Sequence, residues 1–458
     1  MADHTVTVES TLQALLDGKK YQAIKDILIT MNPADIAAVF EEMDGTKLPL
    51  LFRLLPKELA AESFVEMEPD NQEMLIRGFS DSELKEVIDE LYVDDAADIV
   101  EEMPANVVRR ILSQADPDMR KQINEILRYP ENSAGSIMTT EYVSLRPSMT
   151  VEEAITRIRR TGVDKETIYT CYVTKDRKLI GFCTVKDLLL QPDDDALISD
   201  IMETNVISVT TSDDQEEVAQ MLSKYNFLAL PVVDKEGRMV GIVTFDDAMD
   251  VIEDETTEDI EIMSGMAPSD KPYSKSSPFY LFKKRFPWLT VLMVSATFTS
   301  MIITGFEDAL AAQVALTAFI PMLTGTGGNS GTQSSATVIR ALSLGDVDFS
   351  DIFRVIWKEI RTAVLCGLAL AVVCFAKLML FDNMLMGNES VTVFVALCVC
   401  VTMAITVLIA KVIGSVLPLV AKKIGADPAV MSSPFISTMV DALSLLVYFT
   451  VSKAILHI

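Results

Sequence analysis

Histidine is nearly absent from this chain: His4 and His457 are the only two in 458 residues. The six cysteines, Cys171, Cys183, Cys366, Cys374, Cys398 and Cys400, fit neither a disulfide framework nor a zinc pattern. Cys398 and Cys400, two apart on a predicted helix, point to different sides. This argues against a transporter of zinc, copper or nickel, whose sites favour imidazole and thiolate. Positive charge is scarce as well, and unevenly so. Residues 1–270 hold 56 of the 66 acids but only 25 of the 39 basic residues, leaving the front near −31 and the remainder near +4. Such a front repels nucleic acid and attracts divalent cations, so no nucleic-acid partner is expected. No apolar run follows a basic start within Met1–Lys20, so no signal peptide is expected. No nucleophile–base constellation or phosphate-cradling Gly-x-x-x-x-Gly-Lys occurs either, which argues against an enzyme.

What is present first is a repeat. Phe40-Glu41-Glu42-Met43, Phe52-Arg53-Leu54-Leu55, Phe64-Val65-Glu66-Met67, Ile76-Arg77-Gly78-Phe79, Ile88-Asp89-Glu90-Leu91 and Val100-Glu101-Glu102-Met103 recur every 12 residues. Each places large apolar residues three apart on one helical face. Pro33, Pro56, Pro69 and Pro104 punctuate the series, as short helices joined by tight turns require. Residues 1–132 are thus read as an acidic solenoid of stacked helices that complete one another's core. Asp94, Asp95 and Asp98 lie on a segment of it suited to face a partner.

Residues 133–190 and 197–252 are two versions of one module. Ser136-Ile137-Met138 matches Asp200-Ile201-Met202, and Val151-Glu152-Glu153-Ala154 matches Gln215-Glu216-Glu217-Val218. Leu179-Ile180-Gly181 matches Met239-Val240-Gly241, and Thr184-Val185-Lys186-Asp187 matches Thr244-Phe245-Asp246-Asp247. The expected order is strand, helix, strand, glycine turn, strand, helix. This arrangement over residues 133–252 resembles a tandem CBS pair. The resemblance implies an adenine nucleotide such as ATP as ligand, with Thr184 and Asp187 or Thr244 and Asp247 at ribose and phosphate. The signal is weak by itself, because Thr and Asp in that spacing also cap a helix.

The connector, residues 246–284, opens with Asp246, Asp247, Asp250, Glu253, Asp254, Glu255, Glu258, Asp259 and Glu261 and no basic residue among them. At helical spacing these charges repel and are better accommodated by a divalent cation or a basic partner. All-oxygen ligands favour magnesium or calcium.

Residues 285–458 are read as a membrane domain of five helices spanning 286–306, 311–339, 360–381, 391–419 and 429–456. Lys283-Lys284-Arg285, then Arg354, Lys358 and Arg361, then Lys422 and Lys423 lie on one side; the alternate loops carry no Lys or Arg. The positive-inside rule then places the N-terminal domains in the cytoplasm and the C-terminus outside a cytoplasmic membrane. In the second span, Gly325 to Ser335 is rich in small polar residues, poor for a lipid face but suited to close helix approach or to freeing carbonyls along a water path. In the fifth, Pro434 is expected to free backbone seven residues before Asp441. A carboxylate so deep costs at least ~2.5 kcal/mol to insert, so Asp441 should face protein, water or a cation. Lys377 and Lys411 are basic exceptions, expected to snorkel or pair.

Gly327-Gly328-Asn329-x-Gly331-x-Gln333, Arg340-x-Leu342-x-Leu344-Gly345-Asp346, and Asp427-Pro428 with Ser433-Pro434-Phe435-x-x-Thr438-x-x-Asp441 resemble the MgtE family of magnesium channels. So does the order of domains, over nearly the whole chain. The fold expected is a multidomain membrane protein: an all-α solenoid, an α/β CBS pair and an α-helical five-span domain. The resemblance implies a homodimer with one central pore, in which Asp441 binds magnesium. Gly328, Asn329, Pro434 and Thr438 are candidate pore-lining residues. The connector would be the family's plug helix, with Asp427 facing it. Regulatory Mg2+ is expected to bridge Asp94, Asp95 and Asp98, Asp247 and Asp250, and Asp254, Glu255, Glu258 and Asp259, closing the pore when bound. The alternatives are an ion-coupled carrier for Mg2+, Co2+ or Mn2+, which needs a second titratable membrane group not evident in the sequence, a CBS-bearing anion channel, and a membrane-anchored enzyme.

Overall fold

The computed structural model describes residues 2–269, 273, 276–431 and 433–457, in two compact units, Met1–Ile252 and Glu253–Ile458. Residues 270–272, 274 and 275, part of the expected connector and linker, lie outside the described residues.

The 12-residue repeat becomes a run of short helices, Lys57–Val65, Pro69–Gly78, Asp81–Ile88, Val93–Glu102, Ala105–Gln114 and Pro117–Ile126. Proline opens two of them at the first helical position, where its missing N–H costs nothing. Ser80 and Glu83 close a capping box on a third. A helix of 8 to 10 residues is too short to be stable alone. Its stability comes from packing on the next helix but one: Lys57–Val65 on Asp81–Ile88, Asp81–Ile88 on Ala105–Gln114, and Val93–Glu102 on Pro117–Ile126. The repeated position supplies that core, with Phe40, Phe52, Phe64, Ile76, Ile88 and Val100 all buried.

The two following modules each form a three-stranded sheet. In the first, β1 (Tyr142–Leu145) pairs parallel with β2 (Thr167–Lys175), which pairs antiparallel with β3 (Lys178–Thr184). In the second, β4 (Val209–Thr210), β5 (Ala229–Val233) and β6 (Met239–Thr244) repeat the pattern. Each module's leading segment crosses to the other's last strand. The Thr139 N–H donates to the Ile242 carbonyl at 2.8 Å, and the Glu203 N–H donates to the Phe182 carbonyl at 2.8 Å. The matched glycines are where the crossing segment lands: a Cβ at Gly241 would meet the Met138 sulfur at 2.8 Å, and one at Gly181 would meet the Met202 sulfur at 2.7 Å. The repeated Ile-Met and Gly anchors are thus two halves of one reciprocal contact. Cys171 and Cys183 are register partners across β2 and β3 and both are free.

In the second unit the long helices are Pro278–Gly305, Ile320–Ser343, Ile352–Ala376, Val393–Lys423 and Ser433–Leu456. The third continues in wider π-helical turns over Lys377–Leu385. The Val393–Lys423 helix is the hub, packed on the second, third and fifth; the first packs on the fifth. Four helices are long and apolar enough to cross a bilayer, Pro278–Gly305, Phe349–Leu385, Val393–Lys423 and Pro434–Leu456. The Ile320–Ser343 helix has the length but not the apolarity, because Gly, Ser and Thr fill its middle.

Three membrane expectations change. The second helix does not start at 311: Glu307–Ala312 is a short helix and Val314–Phe319 a 3-10 turn before it. Its small residues free no backbone, since the helix is continuous; they permit contact instead. A Cβ at Gly327 would meet Thr406 Cγ2 at 2.6 Å, and one at Gly331 would meet Ile436 Cγ2 at 2.8 Å. Pro434 stands in the first turn of its helix, where it interrupts no hydrogen bond.

Gly241→Ala forces its new methyl onto the Thr139 carbonyl oxygen, 2.6 Å away. The expected loss is about 1–3 kcal/mol, read as a lower urea midpoint for the residue 1–252 unit within the full chain.

Candidate cation sites and nucleotide cleft

In the first unit the Val93–Glu102 helix presents Asp94, Asp95 and Asp98 toward acids of the two modules. Asp94 and Asp98 share a face by their spacing of four, and Asp95 lies beside them. The Val93 N–H at the start of this helix donates to Glu141 Oε2 at 3.2 Å, and the Thr139 hydroxyl donates to the same oxygen at 3.1 Å. Asp247 accepts a short hydrogen bond from the Thr244 hydroxyl. Burial, then repulsion from Asp247, pushes the Asp94 carboxyl well above its usual range. The same two causes push Asp95 and Asp98 up to about 7. Burial, then Asp95, Asp246 and Asp247, pushes Glu166 up to about 8. Asp247 rises to about 6 through burial, opposed by Thr244 and reinforced by Asp246 and Asp250.

One carboxylate oxygen each of Asp94 and Glu166 is buried without a hydrogen-bond partner. Orphaned, mutually repelling oxygens of this kind fit an all-oxygen cation site. Among the described residues no three Asp, Glu, His or Cys side chains converge into a ready-made coordination shell. Glu141 and Glu166 were not among the sequence candidates: each stands in a loop, without a helical spacing to mark it.

In the second unit the end of the connector helix (Phe245–Met263) meets the Ile320–Ser343 helix. Asp259 accepts a hydrogen bond from the Ser343 hydroxyl at 3.2 Å. Burial raises the Asp259 carboxyl; the Ser343 bond opposes that, Asp427 adds repulsion and Arg340 weakly offsets it. Asp427 itself accepts from the Ala429 N–H at 2.7 Å. Burial and then Glu253 raise Asp254. Glu255 and Glu258 belong to the same helix.

Asp441, two turns into the last helix, is half-buried and has no hydrogen bond or ion pair among the described residues. The Thr438 hydroxyl donates to the Pro434 carbonyl at 2.9 Å. Gly328 seats on Ser437, whose Oγ a Cβ there would meet at 3.1 Å. On the neighbouring face of the glycine-rich helix, Gly325, Asn329 and Gln333 form an exposed stripe. An open face carrying Asn and Gln is costly against lipid and calls for protein or water.

The two Thr-x-x-Asp motifs have diverged. Thr184 lines an apolar cleft of about 660 Å³ with Tyr169, Lys186, Phe227 and Pro231, a volume in the range of small-molecule sites. The Thr184 hydroxyl and N–H both bond Asp187, at 2.5 and 2.9 Å, so Asp187 is occupied capping the helix Val185–Leu190. Thr244 and Asp247 instead lie within the acid cluster, which repels a phosphate.

Known proteins were compared with these features. A model of the MgtE divalent cation transporter domain matches residues 320–451; the MgtE intracellular N domain matches 31–132, and CBS domains match 134–192 and 198–254. The magnesium transporter MgtE of Thermus thermophilus is 37% identical over 452 residues, covering 98% of each chain. The chain belongs to the MgtE family of magnesium transporters. A second MgtE, from Bacillus subtilis, is 32% identical and covers 97% of this chain and 96% of its own. The cytosolic domain of an Mg2+ channel MgtE solved with ATP has 38% identity and a TM-score of 0.51, covering 53% of this chain and 99% of that one. The soluble part of a magnesium transporter, at 31% identity and a TM-score of 0.51, covers 55% and 99%. Members of the MgtE family are transporters, and transport rather than enzymatic turnover is the activity.

The cluster around Asp94 carries a pH signature. Carboxyls with folded values of about 6 to 8, against ordinary values near 4, bind more protons folded than unfolded. Their contribution is fully present below about pH 4 and is lost as pH rises through 6 to 8. In EDTA the thermal midpoint of the cytosolic unit should therefore fall between pH 6 and pH 8, and Asp94→Asn with Asp98→Asn should flatten that fall. A midpoint indifferent to pH in the unaltered protein would contradict the arrangement.

Proposed function

We propose that the chain is a homodimeric Mg2+ channel of the cytoplasmic membrane, with its N-terminal domains in the cytoplasm and its C-terminus outside. Five helices per subunit cross the bilayer, the glycine-rich helix included, because its open Asn329 face meets the central pore rather than lipid. The observation that carries the reading is Asp441: a carboxylate two turns into an apolar helix, without a partner among the described residues, on a helix that packs against the glycine-rich one. Two such carboxylates, one from each subunit, would hold a largely hydrated Mg2+ through outer contacts, as suits an ion that gives up water reluctantly. Asn329 and Thr438 would supply further contacts, and Gly328 the close approach that brings the two helices together.

Cytosolic Mg2+ would close the pore. In the first unit it would neutralise Asp94, Asp95, Asp98 and Asp247, with Asp250, Glu141 and Glu166 around them. At the membrane it would neutralise Asp259 and Asp427, with Asp254, Glu255 and Glu258 on the same helix. Differential affinity for the closed state is all such a switch needs. ATP or another adenine nucleotide would occupy the cleft at Thr184. Its base would lie on Tyr169 and Phe227, and its phosphates would approach Lys186.

Asp441→Ala should abolish Mg2+ uptake into proteoliposomes while the protein elutes as before; normal uptake would sink the pore assignment. Limited proteolysis of the full chain should show residues 1–270 increasingly protected as Mg2+ is raised, and equal cleavage with and without the ion would count against sensing.

A further inference from the structure

Lys411 is only 5% exposed, in the middle of the Val393–Lys423 helix. Its ammonium donates to Ser334 Oγ at 3.3 Å, and the Ser334 hydroxyl donates to Glu359 Oε2 at 2.6 Å. The direction is fixed chemically, since a protonated lysine has no acceptor and an ionised carboxylate no donor. Three helices are joined at one hydroxyl: the glycine-rich helix through Ser334, the third through Glu359 and the fourth through Lys411. Ser334 is itself 2% exposed. Apolar residues of similar size would usually be at least as stable in this place, so stability alone does not account for a buried lysine relayed to a half-buried carboxylate.

The location is specific. Ser334 lies one turn from Gly331, where the glycine-rich helix is so close to the fourth that a Cβ on Gly414 would strike the Gly331 carbonyl. Gly331 also faces Ile436 and Val440, and Gly328 faces Ser437, on the helix that carries Asp441. A two-bond relay through one rotatable hydroxyl loses its geometry when the helix slides or turns by about an ångström, because hydrogen bonds weaken steeply off distance and angle. Small residues alone give no such stop, since a smooth glycine face packs in several registers.

We propose that Lys411 and Glu359 are positioning residues for cation passage. Relayed through Ser334, they lock the glycine-rich helix in the register that seats Gly327 and Gly328 on the Asp441 helix. The proposal rests on the reading that the Asp441 helix lines the cation path, and goes beyond it by naming what holds the path in shape.

The test is Mg2+ uptake by the full-length protein in proteoliposomes, resolved into maximal rate and half-saturating concentration. The variants are Ser334→Ala, Lys411→Met, Lys411→Arg and the double Lys411→Met/Glu359→Gln. Lys411→Met leaves the half-buried Glu359 carboxylate with Ser334 alone to answer it and should lower the yield of folded protein. The double variant removes both charges and should restore that yield. Positioning predicts that Ser334→Ala and the well-folded double variant still raise the half-saturating concentration, by about tenfold for a sub-ångström displacement at an ion site. Lys411→Arg should stay near the unaltered value. A wild-type half-saturating concentration in the double variant and in Ser334→Ala, with rates merely following recovered protein, overturns the proposal. Asp441→Asn is run beside them. Unaltered transport there overturns the pore reading, and is distinguishable because it does not depend on the Lys411 series.

Discussion

Carboxylates crowded together without basic partners impose the constraint on which this architecture turns. Burial and mutual repulsion hold the carboxyls of Asp94, Asp95, Asp98, Asp247 and Glu166 above their ordinary protonation range. Asp259, raised by burial and by repulsion from Asp427 and partly offset by Arg340, repeats the situation on a smaller scale at the membrane. Each cluster is tolerable only when protonated, hydrated or neutralised by a cation. Domains built around such clusters have a stability that responds to the ion that neutralises them.

The membrane unit solves the opposite problem. Apolar helices have no hydrophobic reason to associate within lipid, so contact comes from shape and from polar links. Gly327, Gly331 and Gly414 supply the shape, and Lys411, Ser334 and Glu359 supply a link with direction. The hub helix is also where Cys398 meets Ser452, at 3.2 Å, so polar ties run along much of its length. At the far end of the third helix, Lys377 is answered by Asp382 at 2.6 Å.

Much of this was legible in the sequence where a pattern repeats. The 12-residue spacing of Phe40, Phe52 and Phe64 marks buried positions because each unit solves the same packing problem. The paired Gly181 and Gly241 mark the modules for the same reason. Lone residues were not legible. Glu141 and Glu166 join the acid cluster through the fold alone, and Glu359 stands just before the hydropathy of its span begins. The partner of Lys411 lies 77 positions away, beyond any local pattern. The glycine-rich stretch was legible as unusual but ambiguous, since small residues serve a broken helix and a tightly packed one equally. Only the continuous backbone of Ile320–Ser343 separates the two. Both Thr-x-x-Asp motifs read alike, yet one opens on an apolar cleft and the other is enclosed by acids.

The exchange of Met138 onto Gly241 and Met202 onto Gly181 has a consequence for how the pair came to be and how it behaves. A single module would leave its own methionine without a seat and its own glycine strand uncovered. The smallest self-sufficient piece is therefore the duplicate. Duplication here is a closed handshake rather than two beads on a string, so chemistry acting on one copy is felt by the other without any dedicated signalling element.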